Sequence, residues 1–305
     1  MQNIITYIKK PKTLGLAILS HFGTWLPDSL YLKIMFRLKM GYKLNLKNPQ
    51  TFNEKLQWLK LYNRKPEYTL MVDKSEAKTI AENILGKGSA IPTLGVWNKF
   101  EDIDFNSLPD RFVLKTTNGG GGCGVIICRD KSKLNLVSAA EQLKSSLKAS
   151  IYRNLKEWPY KNVKPRILAE KFMVDESGEL RDYKFYCFNG EPKVFLVASE
   201  RFSRHRTYFD YFDMEGNHLP FTQGGMNNPV TPALPSTFEE MKQVAKKLSH
   251  GLPHVRIDLY SVDEKVYFGE FTFFDSSGFE KFTPREWDNV FGNWLKLPTN
   301  SKESE

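Results

Sequence analysis

Residues 111–128 have the sequence RFVLKTTNGGGGCGVIIC, in which Lys115 closes one apolar run and five glycines precede the next. Glycine has no Cβ, so the backbone N–H groups of such a loop can approach phosphate oxygens closely. A lysine just ahead of the loop adds a positive point charge. The stretch predicts a strand, a phosphate-binding flap and a second strand; a flexible hairpin with an incidental lysine is the alternative. The flap glycines are Gly119, Gly120, Gly121 and Gly122.

Three common phosphate-binding motifs do not fit this loop. A Walker motif has Lys-Ser or Lys-Thr after its glycines and then a helix, and a Rossmann fingerprint also opens a helix. A protein kinase places its lysine after the glycine-rich loop and carries H-R-D and D-F-G motifs, which this sequence lacks. What remains is a flap between two strands that closes over a triphosphate.

A second charged pattern lies in a predicted hairpin near the C-terminus. Alternate residues of a strand share a face, so Arg256 projects with Asp258. Glu270 and Thr272 form the matching pair on the second strand. If the turn centres on residue 264, Asp258 lies opposite Glu270, with Cβ atoms about 4.5–5.5 Å apart. Such carboxylates repel unless a cation lies between them, and Mg²⁺ commonly bridges carboxylates to substrate phosphates. We therefore expect Mg²⁺ here, with Arg256 on the transferred phosphoryl group; a solvated charged face is the alternative.

Two strands between these patterns contribute further candidates. The apolar strand Ile167–Phe172 contains Glu170 and offers backbone hydrogen bonds to an adenine edge. Asp182 and Lys184 share a face of the next strand, where a carboxylate suits a ribose diol and a lysine suits phosphate. Arg201 follows the strand after that and could reach an anionic substrate. Half-buried strands with surface charges would have the same residues.

The residue pattern of the chain changes near residue 90, from helical to strand-like. Before it, Thr51 and Glu54 have the spacing of a capping box, and Asp28 is expected to cap a helix that stops at Gly41. After it, β-branched and aromatic runs predict strands, and the order of elements predicts an α+β protein. Helices are expected over 29–39, 74–85, 137–155 and 237–250, and strands over 112–114, 125–128, 167–172, 183–188, 194–198, 255–260 and 266–273.

Taken in order, these parts resemble the ATP-grasp superfamily and, more narrowly, the TupA-like ATP-grasp proteins of bacterial surface-polysaccharide gene clusters. The resembling stretch runs from Thr51 to Leu297. It is carried by the lysine and glycine flap, E-K-F at 170–172, D-Y-K at 182–184, R-I-D at 256–258 and E-F-T at 270–272.

The resemblance implies an ATP-grasp fold, in which two α+β lobes hold ATP between them after a helical N-terminal region. We expect the helical region at 1–90, a smaller lobe with the flap at 91–172, and a larger lobe with the Mg²⁺-binding hairpin at 173–305. The nucleotide contacts it implies are Lys74, Lys115, Gly119, Gly120, Gly121, Gly122, Glu170, Lys171, Phe172 and Asp182. The expected catalytic side chains are Lys184, Arg201 and Arg256, and the metal ligands are Asp258, Glu270 and Thr272. Thr272 stands where the superfamily usually has asparagine, and we expect its hydroxyl to be the weaker ligand.

The activity that the resemblance implies is ATP-dependent, ADP-forming ligation of a carboxylate to an amine through an acyl-phosphate. TupA-like proteins are associated with attaching amino acids or amines to uronic acids of surface polymers. We therefore expect a uronic acid or sugar-linked carboxylate and an amine or amino acid as substrates, in a capsule, O-antigen or teichuronic-type pathway. The acceptor can be free, nucleotide-linked or lipid-linked.

Composition excludes several other classes of protein and function. The chain has 305 residues, 41% of them hydrophobic and 26% charged, which excludes a wholly disordered, collagen-like or coiled-coil protein. Its net charge of +9 favours anionic partners, but nucleic acid is not expected because the basic residues are dispersed and no recognition module is visible. A glycosyltransferase is the remaining alternative. Its D-x-D motif fits Asp102 and Asp104 formally, within an acidic connector.

Three cysteines without a C-x-x-C pair favour a reducing cytoplasm; Cys123 is interpreted as a small flap residue rather than a nucleophile. The five histidines show no metal spacing. The apolar stretch Leu14–Leu26 has 13 residues, too few for a spanning helix of about 20, and no cleavage site, so no export is expected. With Lys33, Arg37 and Lys39 after it, it either packs against the lobes or attaches the protein weakly to the inner membrane face.

Overall fold

Two antiparallel β-sheets, each flanked by helices, form the body of the protein in a computed structural model that describes residues 11–122, 124–176, 178, 180–199 and 207–298. The predicted α+β class is confirmed. Cys123 and Arg201 lie outside the described residues, and the expectations for them stay predictions.

The helices of the described chain lie mostly at its start and around the sheets. Their bounds are α1 Pro11–Phe22, α2 Asp28–Met40, α3 Phe52–Tyr62, α4 Glu67–Val72, α5 Glu76–Leu85, α6 Leu136–Lys148, α7 Ile151–Leu155, α8 Phe238–Ser249 and α9 Glu286–Trp294. Short 3₁₀ turns occupy Phe100–Asp102, Lys131–Lys133, Trp158–Asn162 and Asp275–Gly278.

Local signals explain where these helices begin and end. The capping box at Thr51 and Glu54 is confirmed, with both side-chain-to-backbone bonds present. Gly41 ends α2 in the left-handed conformation, with φ of 89°, which glycine adopts without steric cost. The predicted Asp28 cap is wrong. Pro27 precedes the helix, and the Asp28 carboxylate is drawn instead to the Arg64 guanidinium at 2.6 Å.

Two predicted helix bounds are also corrected by side-chain caps. The helix expected over 137–155 is two helices, because Ala149 is extended and the Ser150 hydroxyl accepts from the N–H of Arg153 to start α7. The helix expected from Lys74 begins at Glu76. The Asp73 carboxylate accepts from the N–H groups of Ser75 and Glu76 at this point.

The first sheet contains four strands in the order β1-β4-β2-β3. They are β1 Thr93–Trp97, β2 Phe112–Thr116, β3 Val125–Cys128 and β4 Ile167–Lys171. Helix α6 packs on its apolar side, where Leu143 joins a buried cluster with Phe112, Leu114 and Ile167. Strand β4, in the middle, pairs with both β1 and β2, so its side chains are held firmly.

The second sheet contains five strands in the order β10-β9-β5-β6-β7. They are β5 Asp182–Phe188, β6 Glu191–Ser199, β7 Tyr208–Phe212, β9 His254–Val262 and β10 Lys265–Thr272, and the small pair β8 Thr222–Gln223 with β11 Phe282–Thr283 lies apart. Helix α8 covers one side of this sheet. A bridge between Ala90 and Phe268 ties the connection before β1 to strand β10.

Helices α1 and α2 pack against each other and against the loop after β10. Leu19 of α1 is buried with Tyr31, Leu32 and Phe36 of α2, and Phe279 closes the same cluster. In the part of the chain that the structure describes, no helix is both long enough and apolar enough to cross a bilayer.

Candidate functional site

A cavity of about 440 Å³ opens between the flap, strand β4, strand β5 and the β9–β10 hairpin. It brings together most of the residues predicted from sequence. The predicted residues that line it are Lys74, Lys115, Gly119, Gly120, Gly121, Gly122, Glu170, Lys171, Phe172, Asp182, Lys184, Arg256 and Glu270. Asp258 and Thr272 do not line the cavity, but each side chain is hydrogen-bonded to Arg256, which does.

Strand β4 delivers the Glu170 carboxylate between two lysines. Its oxygens lie 2.5 Å from the Lys78 ammonium and 2.6 Å from the Lys115 ammonium. Burial alone would raise the pKa of Glu170, but the two positive charges outweigh it and lower the pKa to about 2. The pKa of Lys115 is raised because Glu170 more than offsets the cost of burial.

Lys78 is a site residue that sequence reasoning missed. Burial lowers its pKa, and Glu170 opposes that shift. It lies in the first turn of α5, whereas Lys74 precedes that helix, so the spacing of the two lysines gave no helical signal.

The predicted adenine hinge continues beyond β4. The Lys171 N–H is already bonded to the Pro92 carbonyl at 2.9 Å, so this N–H is not available to an adenine edge. Residues 172–174 have no regular structure and line the cavity. The Phe172 ring has the guanidinium carbons of Arg111 and Arg129 at 5.2 Å and 5.5 Å from its centroid, a cation–π arrangement that fixes this side of the cavity.

The flap is anchored at its base and open at its tip. A Cβ on Gly124 would come within 2.2 Å of the Thr116 hydroxyl, which is itself bonded to the Ser146 hydroxyl at 2.8 Å. At the tip, Gly121 and Gly122 have φ of 63° and 78°, with nothing within 4 Å of an added Cβ. Backbone conformation, not lack of space, therefore requires glycine at the tip.

The β9–β10 hairpin has the predicted pairing, Asp258 opposite Glu270 and Arg256 opposite Thr272. The predicted turn centre is off by half a residue, because the turn lies between Asp263 and Glu264, both with positive φ. A bulge between Phe268 and Glu270 restores the pairing.

Gly269 is the residue that the bulge skips. A Cβ there would approach Tyr260 to 2.8 Å and the Asp258 carbonyl oxygen to 2.9 Å. Glycine at this position is therefore what lets the bulge pack closely, and the bulge brings the two carboxylates face to face.

Arg256 is the centre of a buried ion-paired network. Its Nε and Nη2 donate to the two Asp258 oxygens at 2.7 Å and 2.8 Å. Its Nη1 donates to Asp275, and its Nη2 also reaches the Thr272 hydroxyl at 3.2 Å. Burial would lower the pKa of Arg256, but the adjoining carboxylates raise it well above its usual value. Asp275, in the turn after β10, was not predicted because it follows the E-x-T pattern by three residues.

The two lysines beside the hairpin complete this network. Lys184 donates to Asp258 and lies 3.2 Å from Asp182. Lys74 lies 3.1 Å from Glu270 and 2.7 Å from the Gly119 carbonyl oxygen, so it connects the hairpin to the flap. Burial acts to raise the pKa of Glu270, but Lys74, Lys184 and Arg256 outweigh it and lower that pKa.

Positive and negative side chains are balanced across the site. The ion-paired cations are Lys74, Lys78, Lys115, Lys184 and Arg256, and the carboxylates are Glu170, Asp182, Asp258, Glu270 and Asp275. Five charges of each sign leave the network neutral. An incoming polyphosphate must therefore replace carboxylates as the partner of the lysines.

The oxygen ligands at the hairpin suit a hard cation. Asp258, Glu270 and the Thr272 hydroxyl offer the donor type that Mg²⁺ prefers. Among the described residues there is no group of three or more His, Cys, Asp or Glu side chains arranged to hold a metal alone. Mg²⁺ usually takes one or two carboxylates from a protein and completes its shell with water and phosphate oxygens.

A comparison with protein families matches residues 54–296 to the TupA-like ATP-grasp family. The chain belongs to this family. The recognition made from the flap, hinge and hairpin motifs is thus confirmed, and the two sheets around the cavity form an ATP-grasp fold. No functionally curated protein matches the sequence significantly.

Solved structures resemble the TupA-like chain at low identity. D-alanine–D-alanine ligase from Bacillus anthracis complexed with ATP is 17% identical with a TM-score of 0.39, over 67% of this chain and 53% of that one. The ligase from Helicobacter pylori is 16% identical with a TM-score of 0.43, over 80% and 69%. ATP-grasp ligase PsnB, complexed with minimal precursor, Mg and ADP, is 12% identical with a TM-score of 0.38, over 80% and 66%. The chain spans about half the length of the first of these.

The D-x-D pattern lies away from this cavity. Asp102 is exposed in a 3₁₀ turn, and the Asp104 carboxylate accepts from the Asn106 N–H at 3.0 Å within the same connector. Neither side chain lines the cavity.

Proposed function

We propose that this TupA-like protein is an ADP-forming ligase that joins a carboxylate to an amine through an acyl-phosphate. The observation that carries the proposal is the facing of Asp258 and Glu270 across one hairpin, with Arg256 between them. Two carboxylates and an arginine beside a lysine-lined cavity fit transfer of a terminal phosphoryl group. No observation favours the glycosyltransferase alternative.

In this proposal, the nucleotide binds on the flap side of the cavity. Lys115 and Lys74 exchange Glu170 and Glu270 for phosphate oxygens, and the flap N–H groups add hydrogen bonds. The backbone from Phe172 onward takes the adenine edge, and Asp182 takes the ribose. The first sheet lies within 93–171 and the second within 182–272, which supports a smaller lobe at 91–172 and a larger lobe at 173–305.

The hairpin side supports the chemistry. Asp258, Glu270 and Thr272 would hold Mg²⁺, which when bound neutralises charge on the phosphoryl group in transfer. When phosphate takes Lys74 as its partner, the Glu270 carboxylate is released from that lysine and becomes available to the metal. Arg256, held by Asp258 and Asp275, presents a fixed positive charge to the transferred group.

The bond changes balance in two steps. A carboxylate oxygen of the acid attacks the γ-phosphorus, the bond from that phosphorus to the β,γ-bridging oxygen breaks, and ADP leaves. The amine nitrogen then attacks the acyl carbon, phosphate leaves with the carbon–oxygen bond electrons, and the nitrogen loses a proton. Lys184 and Arg256 are proposed to offset the negative charge in both steps. Arg201 stays a predicted contact for the acid.

We further propose that the acid is a uronic acid of a bacterial surface polysaccharide, of the capsule, O-antigen or teichuronic type, and that the amine is an amino acid or related amine. Family membership and the cationic residues at the cavity support an anionic acceptor. Lys171 and Arg129 line the cavity, and neither is a member of the ion-paired network described above.

Product analysis tests the reaction class. Purified enzyme with ATP and Mg²⁺ is offered a panel of uronic acids and amino acids, and ADP, AMP, phosphate and pyrophosphate are measured. The expected result is substrate-dependent ADP and phosphate in equal amounts. Stoichiometric AMP, or turnover of a nucleotide sugar without ATP, would contradict the proposal.

A further inference from the structure

Helix α1 has apolar residues on two sides, and only one side is packed. Leu19 is 6% exposed and faces α2, and Gly15 lies against the Leu38 side chain. On another side, Leu14, Ile18 and Phe22 are spaced four residues apart and are all exposed. A helix that is apolar beyond its packed side requires a second apolar environment.

The exposed apolar residues continue past the end of α1. Trp25 in the connection to α2 is 80% exposed and Phe22 is 65% exposed. Leu30 and Ile34, four residues apart on α2, are also exposed. We call the six residues Leu14, Ile18, Phe22, Trp25, Leu30 and Ile34 the N-terminal apolar face. Exposed apolar residues concentrated in one short stretch of a chain are typical of an interaction site.

Charge identifies the partner. Between Thr13 and Gln50 the lysine and arginine side chains are all exposed, and the single acidic residue is Asp28. Asp28 is already paired with Arg64 at 2.6 Å and Lys156 at 3.4 Å. The exposed basic residues are Lys33, Arg37, Lys39, Lys43 and Lys47. Exposed aromatic and aliphatic side chains in a stretch of chain whose unpaired charges are all positive fit the boundary of an anionic lipid bilayer.

We propose that the N-terminal apolar face docks on an anionic lipid surface, with α1 and α2 lying in the interface rather than across it. A second copy of the chain is a poorer occupant, because the two positive surrounds would repel. The sequence left packing against the lobes as an alternative, and the exposure of these six side chains is against it. The inference does not rest on the ligase proposal, since it concerns α1 and α2 alone.

Flotation with vesicles tests the docking surface. The full chain is mixed with vesicles of phosphatidylethanolamine and phosphatidylglycerol, or of phosphatidylcholine alone, at low and high salt. We expect flotation with the anionic vesicles at low salt, and less with neutral vesicles or at high salt, because salt screens the lysines and arginines. No flotation at low salt, or equal flotation with both lipids, would overturn the proposal.

Paired variants distinguish lipid binding by the N-terminal apolar face from nonspecific hydrophobic adsorption. Phe22→Ser with Trp25→Ser is expected to lower partitioning at least about ten-fold. The control, Val137→Ser with Val230→Ser, removes side chains that are 70% and 77% exposed elsewhere and should change nothing. Lys33→Gln with Arg37→Gln is expected to lower partitioning about ten-fold, against a control of Lys87→Gln with Lys247→Gln.

Melting temperature and nucleotide binding are measured for each variant, and light scattering reports self-association. Unchanged flotation of the Phe22 and Trp25 variant, with its fold intact, would contradict the assignment. A wild-type dimer that this variant dissociates, without vesicle binding, would show that a second copy covers the face and would equally overturn the proposal.

Discussion

Nothing lies within 4 Å of a Cβ added to Gly121 or Gly122 at the flap tip, whereas Gly269 on the facing hairpin has two such atoms within 3 Å. Both regions need glycine, but for different reasons. The flap requires positive φ in open space, so its tip has room to change shape when phosphate binds. The hairpin requires close packing, and its bulge holds Asp258 opposite Glu270 before any ligand binds.

The contrast suggests that the two sides of the cavity have different roles in catalysis, which we call the division of work. The flap side contributes to ground-state binding of the nucleotide, and the hairpin side contributes to the transition state. Lys74 joins the two by contacting both Gly119 and Glu270. Substitutions on the two sides should therefore separate nucleotide affinity from turnover.

The largest effect is expected at the hairpin. Asp258→Asn removes a charge that binds Arg256 through two hydrogen bonds, and we expect kcat to fall about a hundred-fold or more. Nucleotide affinity should change little. The control is Asp263→Asn, at the exposed turn of the same hairpin, where asparagine tolerates positive φ. Equal losses in both variants would remove the claimed role of Asp258.

The next effect concerns stability of the flap side. The pKa of Glu170 is about 2 in the folded chain against 4.5 ordinarily, so its contribution is present above about pH 4.5 and is lost as pH falls toward 2. The difference corresponds to about 3 kcal/mol at neutral pH. Glu170→Gln should lower the free energy of unfolding by about that amount and flatten its dependence on pH in this window. Urea denaturation at several pH values measures it, with Glu240→Gln as the exposed control.

Lys115→Ala should weaken ATP binding about ten- to hundred-fold, since it removes a charge-assisted contact to phosphate. Turnover at saturating ATP should fall much less. Lys99→Ala, an exposed lysine just after β1 in the same sheet, is the control. Titration calorimetry gives the affinities, and a loss confined to kcat would show that the two sides had been assigned the wrong way round.

The smallest effect distinguishes the two glycines directly. Gly121→Ala places a Cβ at φ of 63° in open space, which costs about 1 kcal/mol and should appear as a few-fold weaker ATP binding. Gly269→Ala should lower kcat more than it weakens binding, because the added Cβ displaces Tyr260 or the Asp258 backbone. Similar kinetic profiles for the two variants would remove the distinction between flap and hairpin.

The sequence was sufficient to predict those parts of the site that depend on a local pattern of residues. The period-two spacing of strands put Arg256 and Asp258 on one face, and the glycine run with Lys115 identified the flap. The pairing of Asp258 with Glu270 was also predicted correctly, but only because the bulge at Gly269 compensates for a turn centre that was off by half a residue. Lys78 and Asp275 were missed because their partners lie far away in the sequence, at Glu170 and Arg256. No local pattern reveals such pairs.

Other errors have a similar physical origin. Asp28 has the residue type of a helix cap, but a distant arginine competes for its carboxylate. The Gly269 bulge also could not be predicted, since glycine in a strand indicates a bulge without saying how it changes the register. The choice between packing and exposure for α1 likewise depended on which of its apolar sides met α2.

Glu270→Gln with ATP, measured over a range of Mg²⁺ concentrations, tests the division of work most directly. Nucleotide binding and substrate-dependent ADP release are followed in parallel with the wild-type enzyme. We predict near-normal ATP affinity with ADP release that stays at background at every Mg²⁺ concentration. Near-normal ADP release from the Glu270→Gln enzyme would contradict the assignment of the hairpin as the site of phosphoryl transfer.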